Sequence, residues 1–378
     1  MSGCLRSTGF LLASLLPAVA AAQPVSSPDR PKLSVSGYFQ PQFEHHAGGG
    51  RTADRALFRR MVFTLDLRLP RDWSAEFQVD AGALVSGGDR VIVKNAHLQY
   101  RGWESRGLLL MIGNQKMPFS RSLLAPSARR GLIERPFAGD RSLGSPGRAL
   151  ALKVDGWHHG RTVYWSAALA SSRQSPDAEE VRVDGTAEAG RGWNEGPLAG
   201  GRIELHPFGE VPRDQGDLDR APLRLTIGAG AYGWWNHDDV DRHGSASVDA
   251  ARIAAVEASG GLRGHGLSVD AEFEHIVSHA VEPLVTLGFY NAGTATIDKG
   301  SVEAGYMVVP RRLEALAAAE QVDVDGFERP WRRLAAGMNW YVRGRSIKLS
   351  FMHRESFGER GLRHRRSRAT YVQTHIAF

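Results

Sequence analysis

Apolar side chains alternate with polar or small ones in segments of about ten residues from Leu33 to Phe378. This period of two is typical of a strand with one apolar and one polar face. The sequence therefore predicts an all-β protein, either a membrane barrel or a soluble periplasmic β-protein whose charged face meets water. The clearest apolar positions are Leu33, Val35, Phe39 and Phe43, then Met61, Phe63, Leu65 and Leu67, then Trp73, Ala75, Phe77 and Val79.

The links between the predicted strands alternate in length. His45 to Ala56 and Met117 to Gly147 are long, whereas Pro70 to Asp72 and Gly261 to Gly264 are short. A barrel with short turns at its periplasmic rim and longer loops outside has this rhythm. The pattern predicts a transmembrane antiparallel β-barrel of about sixteen strands, with both termini at the periplasmic rim.

The link over residues 117–147 is predicted to fold into the barrel as a constriction loop. The preceding strand ends at Lys116 and Pro118, and a proline fixes its own φ and cannot donate to a ladder. A link of this length without regular structure is usually functional. It is also too apolar to sit comfortably in water, since it carries Leu123, Leu124, Leu132, Ile133 and Phe137.

The last residues, YVQTHIAF, resemble the C-terminal assembly signal of outer-membrane barrels. Apolar side chains alternate there and the final residue is Phe378. Aromatic residues near the ends of predicted strands are typical of the girdles at the two membrane interfaces. The candidates are Trp73, Tyr100, Trp157, Trp165, Trp234, Trp331 and Trp340.

Residues 1–22 have the features of a secretory signal peptide, with Arg6 before an apolar run that ends in alanines 20–22. The one cysteine, Cys4, lies in that segment, so the mature chain is predicted to be exported without a disulfide. No later stretch approaches the roughly 18 apolar residues of a membrane helix. We predict one barrel domain over residues 23–378 in the outer membrane of a Gram-negative cell.

Three motifs in the first half of the chain resemble the phosphate-selective porin O and P family. The segment GNQKMPF (Gly113 to Phe119) matches the family motif Gly-x-x-Lys-x-Pro-Phe, and LIERPF (Leu132 to Phe137) matches the family motif Leu-x-Glu-Arg. The segment SPGRALALKV (Ser145 to Val154) matches the Pro-Gly-Arg that precedes a strand in the family. Further similarity lies in FRRMVFTLDLRLPRDWSAEFQVDAG and GMNWYVRG. The resemblance thus extends over nearly the whole mature chain.

The resemblance implies a homotrimer of sixteen-strand barrels with a basic constriction that selects phosphate-like anions. Lys116 falls on the motif lysine, Arg60 on the arginine pair of the second strand, and Arg135 and Arg148 on two arginines of the inward loop. The fork of an arginine pairs bidentately with phosphate oxygens. Arg129, Arg130 and Arg141 are further pore-lining candidates in the loop.

Acidic side chains on the predicted lumen faces leave an alternative open. If they pair with the arginines, the protein is a weakly selective general porin. The chain is also arginine-rich throughout, with 41 arginines to 6 lysines, so an arginine at a given place is partly compositional. The acids are Asp66, Glu76, Asp80, Asp270, Glu272, Glu274 and Glu303.

Other functional classes find little support in the sequence. His275 and His279 are four residues apart, but no metalloprotease motif surrounds them, so neither a metal nor another cofactor is expected. No hydrolase elbow or phosphate-binding loop is present, which leaves a barrel-borne enzyme as a remote alternative. The basic run Arg363 to Arg368 is expected in an external loop, contacting lipopolysaccharide phosphates or water rather than nucleic acid.

Overall fold

A computed structural model describes residues 30–185, 194–214, 216–237 and 247–378. Among these residues, sixteen antiparallel strands close into one barrel, and a seventeenth strand of two residues, β8, pairs with the end of β7. The predicted fold class is confirmed. The strands are β1 Lys32–Gly48, β2 Arg51–Arg68, β3 Trp73–Asp80, β4 Ile92–Tyr100, β5 Leu108–Lys116, β6 Arg148–His158, β7 Val163–Gln174, β8 Val183–Asp184, β9 Asn194–Leu205, β10 Arg224–Trp235, β11 Ala250–Gly264, β12 Leu267–Ala280, β13 Thr294–Val309, β14 Leu313–Val324, β15 Trp331–Arg343, β16 Ile347–Phe357 and β17 Arg366–Ala377.

Helical structure in the described ranges is confined to short turns outside the wall. Two α-helical turns are α1 Gly82–Val85 and α2 Arg121–Leu124. Four 3₁₀ turns lie at Glu104–Arg106, Ser127–Arg129, His159–Arg161 and Glu359–Gly361. None of these helices is long and apolar enough to cross a membrane. The predicted signal peptide, residues 1–22, lies outside the described residues.

The alternation of side chains separates an apolar outer face from a polar inner face. In β12, Glu272 and Glu274 are buried inside the barrel, whereas Phe273 between them is half exposed on the outside. Two adjacent tryptophans in β10 show the same rule, because Trp235 faces outward and Trp234 is fully buried within. The expectation that Trp234 belongs to an interfacial girdle was therefore wrong.

Two-residue turns connect several hairpins, and one of them replaces a predicted long loop. Gly264 pairs with Leu267, and the two residues between them, His265 and Gly266, both have positive φ between β11 and β12, as a type I′ turn requires. Gly49 and Gly50 do the same between β1 and β2, with φ of 59° and 74°. The strands β1 and β2 thus extend through residues 45–56, and the predicted external loop there is a continuous hairpin.

The barrel closes where β17 pairs with β1. The last residue, Phe378, exchanges backbone hydrogen bonds with Gly37 at 3.1 and 3.2 Å. Its ring packs against Phe39 and Phe63, with ring centroids 5.4 and 6.4 Å apart. Phe378 therefore forms part of the seam between the first and last strands.

The segment between β5 and β6, which we call the inward loop, fills much of the barrel interior. Phe119 and Phe137 are fully buried against the inner wall, in a cluster with Trp234, Ile276 and Ile297. Leu132 and Ile133 join a second cluster with Ala318, Ala335, Met352, Ala369 and Tyr371. Burial of this apolar surface holds the loop inside the bore, as its composition predicts.

Candidate functional site

Carboxylates of the wall accept hydrogen bonds from the backbone of the inward loop. Glu272 of β12 accepts from the amide of Ser122 at 2.8 Å, and Glu320 of β14 accepts from the amide of Phe137 at 2.8 Å. These bonds satisfy loop amides that have no ladder partner, which matters because an unpaired buried amide is costly. Carboxylates on the lumen face of β12 and β14 therefore hold the inward loop in position.

Glu274 is the centre of a second anchor. Its carboxylate accepts from the amide of Gly139 at 2.9 Å and from the hydroxyl of Ser145 at 2.8 Å. The ammonium of Lys299 lies 3.0 Å from the same carboxylate, and both side chains are fully buried. This ion pair is compensated by hydrogen bonds from the loop, which is the condition under which a buried pair is tolerated.

Lys116 holds the start of the inward loop. Its ammonium donates to the carbonyl oxygens of Leu123, Leu124 and Ala125 at 2.7, 3.0 and 3.2 Å. These are carbonyls at the C-terminal end of α2, where a cation is favoured. All three N–H donors of Lys116 are thus used by carbonyls of the loop.

A β-bulge in β2 turns two consecutive arginines into the bore. Gln40 of β1 pairs with Arg60, and the next residue, Pro41, pairs with Phe58, so Arg59 is the extra residue. Proline has no amide proton for the ladder, and a bulge is where a strand tolerates that loss. Arg59 forms two hydrogen bonds with Glu134 at 3.0 and 3.1 Å, which makes it the partner of that carboxylate.

A cavity of about 730 Å³ lies in the bore between the inward loop and the wall formed by β2, β4, β5, β6, β15 and β16. Ten basic side chains line it against three acidic ones, so its charge is strongly positive. The acidic residues are Asp80, Glu134 and Asp140. The basic residues are Arg55, Arg59, Arg60, Lys94, Lys116, Arg135, Arg141, Arg148, Arg333 and Arg354.

Three of these arginines donate to neutral oxygens. Arg60 donates to the side-chain oxygen of Gln40 at 3.1 Å, and Arg148 to that of Asn95 at 3.0 Å. Arg135 donates to the backbone oxygen of Ser122. A neutral partner orients a guanidinium without cancelling its charge, so Arg60, Arg135 and Arg148 keep their charge available to the cavity.

Other basic residues of the cavity are paired with carboxylates. Lys94 lies 2.9 Å from Asp80, and Arg141 donates to Asp184. Arg333 is 3.9 Å from Glu320 and its guanidinium stacks over the ring of Phe137 on the inward loop. Arg55 with Glu44 and Arg59 with Glu134 are two further pairs. At least five of the ten basic residues that line the cavity thus have a carboxylate partner, and these pairs reduce but do not cancel the positive charge of the site.

Arg129 and Arg130 lie away from this cavity. Arg129 forms a salt bridge with Asp214 at 2.9 Å and is exposed. Arg130 is buried, donates to the backbone oxygen of Glu134 at 3.0 Å and lies 3.9 Å from Glu303. The other five arginines and lysines expected from the sequence, Lys116, Arg60, Arg135, Arg148 and Arg141, surround the same cavity.

The charge environment shifts the pKa of two neighbouring loop residues. Burial and the nearby charges of Arg130 and Arg60 hold the pKa of Arg135 well below its usual value. Burial alone would raise the pKa of Glu134, but the charge and hydrogen bonds of Arg59 outweigh it and lower that pKa to about 2. Positive charge from nearby arginines contributes to both shifts. In the described ranges, no cluster of His, Cys, Asp or Glu is arranged to hold a metal ion.

The family model for phosphate-selective porin O and P matches residues 37–190. This part of the chain is similar to that family. The match spans the three motifs of the first half and the whole inward loop, so the resemblance seen in the sequence is confirmed. Together with the closed barrel, it makes the chain an outer-membrane porin. A search of curated proteins found no match.

Solved porin structures share the fold at low sequence identity. The anion-selective porin from Comamonas acidovorans has a TM-score of 0.60 at 10% identity, covering 92% of this porin and 100% of that chain. The outer membrane channel DcaP of Acinetobacter baumannii has a TM-score of 0.58 at 11% identity, covering 92% and 98%. OmpT of Vibrio cholerae, in its trimer form, has a TM-score of 0.57 at 11% identity, covering 92% and 100%.

Proposed function

We propose that this porin conducts small anions by passive diffusion, with phosphate and polyphosphate as candidate solutes, and that the basic cavity is its constriction. The observation that carries the proposal is the excess of ten basic over three acidic side chains around the cavity. A bore with low-dielectric walls concentrates the field of such a cluster and raises the local concentration of anions. The anion-selective porin from Comamonas acidovorans, which shares the fold, is consistent with it.

Arg60, Arg135 and Arg148 are the proposed anion contacts. Each guanidinium is oriented by a neutral oxygen and keeps further N–H donors for a solute. Arginine suits phosphate because its planar fork binds two oxygens at once. Several contacts of moderate strength favour conduction over capture, since a permeating ion must also leave.

A weakly selective general porin is the second candidate. Asp80 and Glu134 in the cavity lining favour it, because they pair with Lys94 and Arg59 and screen part of the positive charge. Such a channel would pass cations and anions at similar rates. The family and the fold both support a channel rather than an enzyme.

Reversal potential in a salt gradient across a planar bilayer distinguishes the two candidates. We expect the purified porin to give a reversal potential whose sign shows that chloride is more permeant than potassium. A potential near zero would favour the general porin, and the opposite sign would contradict an anion channel. Phosphate added to the chloride solution tests the finer proposal, because binding in the cavity should reduce chloride conductance, and unchanged conductance would argue against a phosphate site.

We also propose that the porin assembles as a homotrimer. The trimeric OmpT structure with the same fold supports this arrangement. Cross-linking in intact outer membranes followed by denaturing gel electrophoresis tests it. A ladder that ends at three subunits is expected, and one that ends at the monomer would contradict the proposal.

A further inference from the structure

A groove of about 890 Å³ runs across the outer face of the barrel on β11 to β17. Its floor consists of small residues, namely Ala258, Gly260, Ala271, Gly300 and Ala319. Three apolar side chains, Phe273, Val302 and Leu334, flank this floor and are 50%, 49% and 54% exposed. The groove therefore faces the lipid side of the wall and is separate from the basic cavity in the bore.

The groove follows neighbouring positions from strand to strand. Gly260 pairs with Ala271, which pairs with Val302 of the next strand, and Val302 pairs with Ala319. A parallel path leads from Gln321 through Arg332 and Phe357 to Arg366. Neighbouring strands lie about 4.8 Å apart, so the path across seven strands is roughly 30 Å long. That length exceeds what one extended acyl chain needs.

The two glycines of the floor are not required by the fold. A Cβ added at Gly300 would lie 3.6 Å from the nearest atom, the carbonyl oxygen of Glu272, which is an ordinary contact. A Cβ at Gly260 would lie 3.7 Å from the carbonyl oxygen of Thr226. Neither residue has a φ that favours glycine. Since the wall has room for larger side chains, the smooth floor is free to serve an external occupant.

Four exposed arginines surround the upper end of the groove: Arg329, Arg332, Arg363 and Arg366. Three of them make neutral side-chain contacts, and the backbone amide of Arg363 donates to Glu328 at 3.3 Å. Arg329 donates to the backbone oxygen of Arg363 at 3.1 Å, Arg332 donates to the side-chain oxygen of Gln321 at 2.9 Å, and Arg366 lies over the ring of Phe357. This end of the groove is at the rim opposite the C-terminus, which is the extracellular rim of a porin.

We propose that this groove binds a phosphorylated glycolipid of the outer leaflet, with an acyl chain on the small-residue floor and a headgroup phosphate on the arginines. The apolar floor matches the acyl chains of such a molecule, and the basic rim matches its phosphorylated headgroup. Guanidinium groups at the extracellular rim lie at the level of the membrane where the phosphates of lipopolysaccharide are found. The basic run Arg363 to Arg368, expected in an external loop, supplies two of the four arginines, Arg363 and Arg366. Arg366 and Arg368 of that run belong to β17.

The test is native mass spectrometry of the intact porin in detergent, titrated with lipid A carrying both phosphates. We expect retained lipid with the wild type and at least about tenfold weaker binding with Arg332→Ala/Arg366→Ala, since two charge-assisted hydrogen bonds are lost. Gly300→Leu should also weaken binding, because it fills the floor. Arg252→Ala is the matched control: Arg252 is exposed at the extracellular end of β11 and lies outside the groove.

Four outcomes would overturn the assignment. Equal loss with Arg252→Ala would indicate diffuse attraction, and equal binding of dephosphorylated lipid A would remove the phosphate from recognition. Displacement of lipid A by inorganic phosphate would indicate a simple anion site. Dissociation of an oligomer by Gly300→Leu, with lipid binding intact, would assign the groove to a second copy of the chain.

Heat-modifiable gel migration confirms that each variant is a folded barrel, and ion selectivity tests the channel function independently.

Discussion

The guanidinium groups of Arg60, Arg135 and Arg148 share one cavity although like charges repel. Burial is the main cause that lowers the pKa of Arg135 well below its usual value, and repulsion from neighbouring arginines lowers it further. A site that retains such charges is unfavourable when empty and is relieved when an anion enters. These three arginines are therefore better explained by anion binding than by a contribution to the stability of the barrel.

Removal of two of these charges should lower anion selectivity. At separations of a few ångström in water each charge contributes roughly 1 kcal/mol, so Arg60→Ala/Arg148→Ala should reduce the chloride-to-potassium permeability ratio about fivefold or more. Reversal potentials measure the ratio. Arg129→Ala, which removes an arginine outside the cavity, should leave it unchanged. Equal ratios for the double variant and the wild type would show that these arginines do not face the permeating ion.

Replacement of Lys116 should loosen the inward loop. Lys116→Met and Lys116→Glu both remove three hydrogen bonds to the carbonyls after α2, so both should raise single-channel conductance and current noise. The carboxylate of the Glu variant adds repulsion from those carbonyls and should increase the noise further. If Lys116→Glu reverses the ion preference while Lys116→Met leaves conductance and noise unchanged, Lys116 serves permeation instead.

Sequence reasoning pointed to five of the ten basic residues that line the cavity, but not to Arg59. Strict alternation puts the neighbour of Arg60 on the lipid face, and only the bulge opposite Pro41 brings Arg59 inward. A proline within a predicted strand is the one local signal of such a bulge. Lys94, Arg333 and Arg354 were also missed, because their positions in the cavity depend on which strands face the open side of the bore. Arg55 was missed because residues 45–56 were expected to form an external link.

The inward loop is anchored to carboxylates of the wall on one side and faces the basic cavity on the other. Its back is fixed to β12–β14 through Glu272, Glu274 and Glu320, and its front faces the basic cavity. Length and apolar content were enough to predict that the loop folds inward. The use of the wall acids was not predictable, because alternation identifies a lumen-facing carboxylate but not the loop amide that it meets.

Acid should release the front of the loop. The pKa of Glu134 is about 2, below the ordinary 4.5, so its pair with Arg59 stabilises the loop fully above pH 4.5 and loses that contribution as the pH falls to about 2. Conductance noise should rise over this interval. Glu134→Gln should show raised noise already at neutral pH and little further change in acid. Noise that is independent of pH in the wild type would contradict a holding role for this pair.

Closure of the whole barrel depends on the pairing of its first and last strands. The alternation of link lengths yielded the strand number, because each short turn and long loop reports one crossing of the membrane. The first link was nevertheless misjudged, since the length between apolar stretches did not reveal that Gly49 and Gly50 form the turn of a tall hairpin. Two adjacent glycines were the signal for it.

Phe378→Ala should slow assembly of the barrel. The substitution removes the ring that packs against Phe39 and Phe63 at the closing seam. Pulse-chase labelling with heat-modifiable gel migration measures the rate at which the folded form appears. Phe351→Ala, which removes an exposed aromatic from the outer face of β16, should have a smaller effect. A Phe378→Ala variant that assembles at the normal rate and level would rule out a role for the seam aromatic.

The bulge in β2 has a consequence for how this porin can evolve. Phe58 and Met61 both face outward, and both Arg59 and Arg60 between them face inward. Loss of one codon here would restore regular pairing and leave every other side chain of the strand on its present face. Most single-codon deletions in a barrel strand invert the faces of all residues on one side. At this position, a deletion can therefore lower the positive charge of the pore by one unit while the wall stays intact.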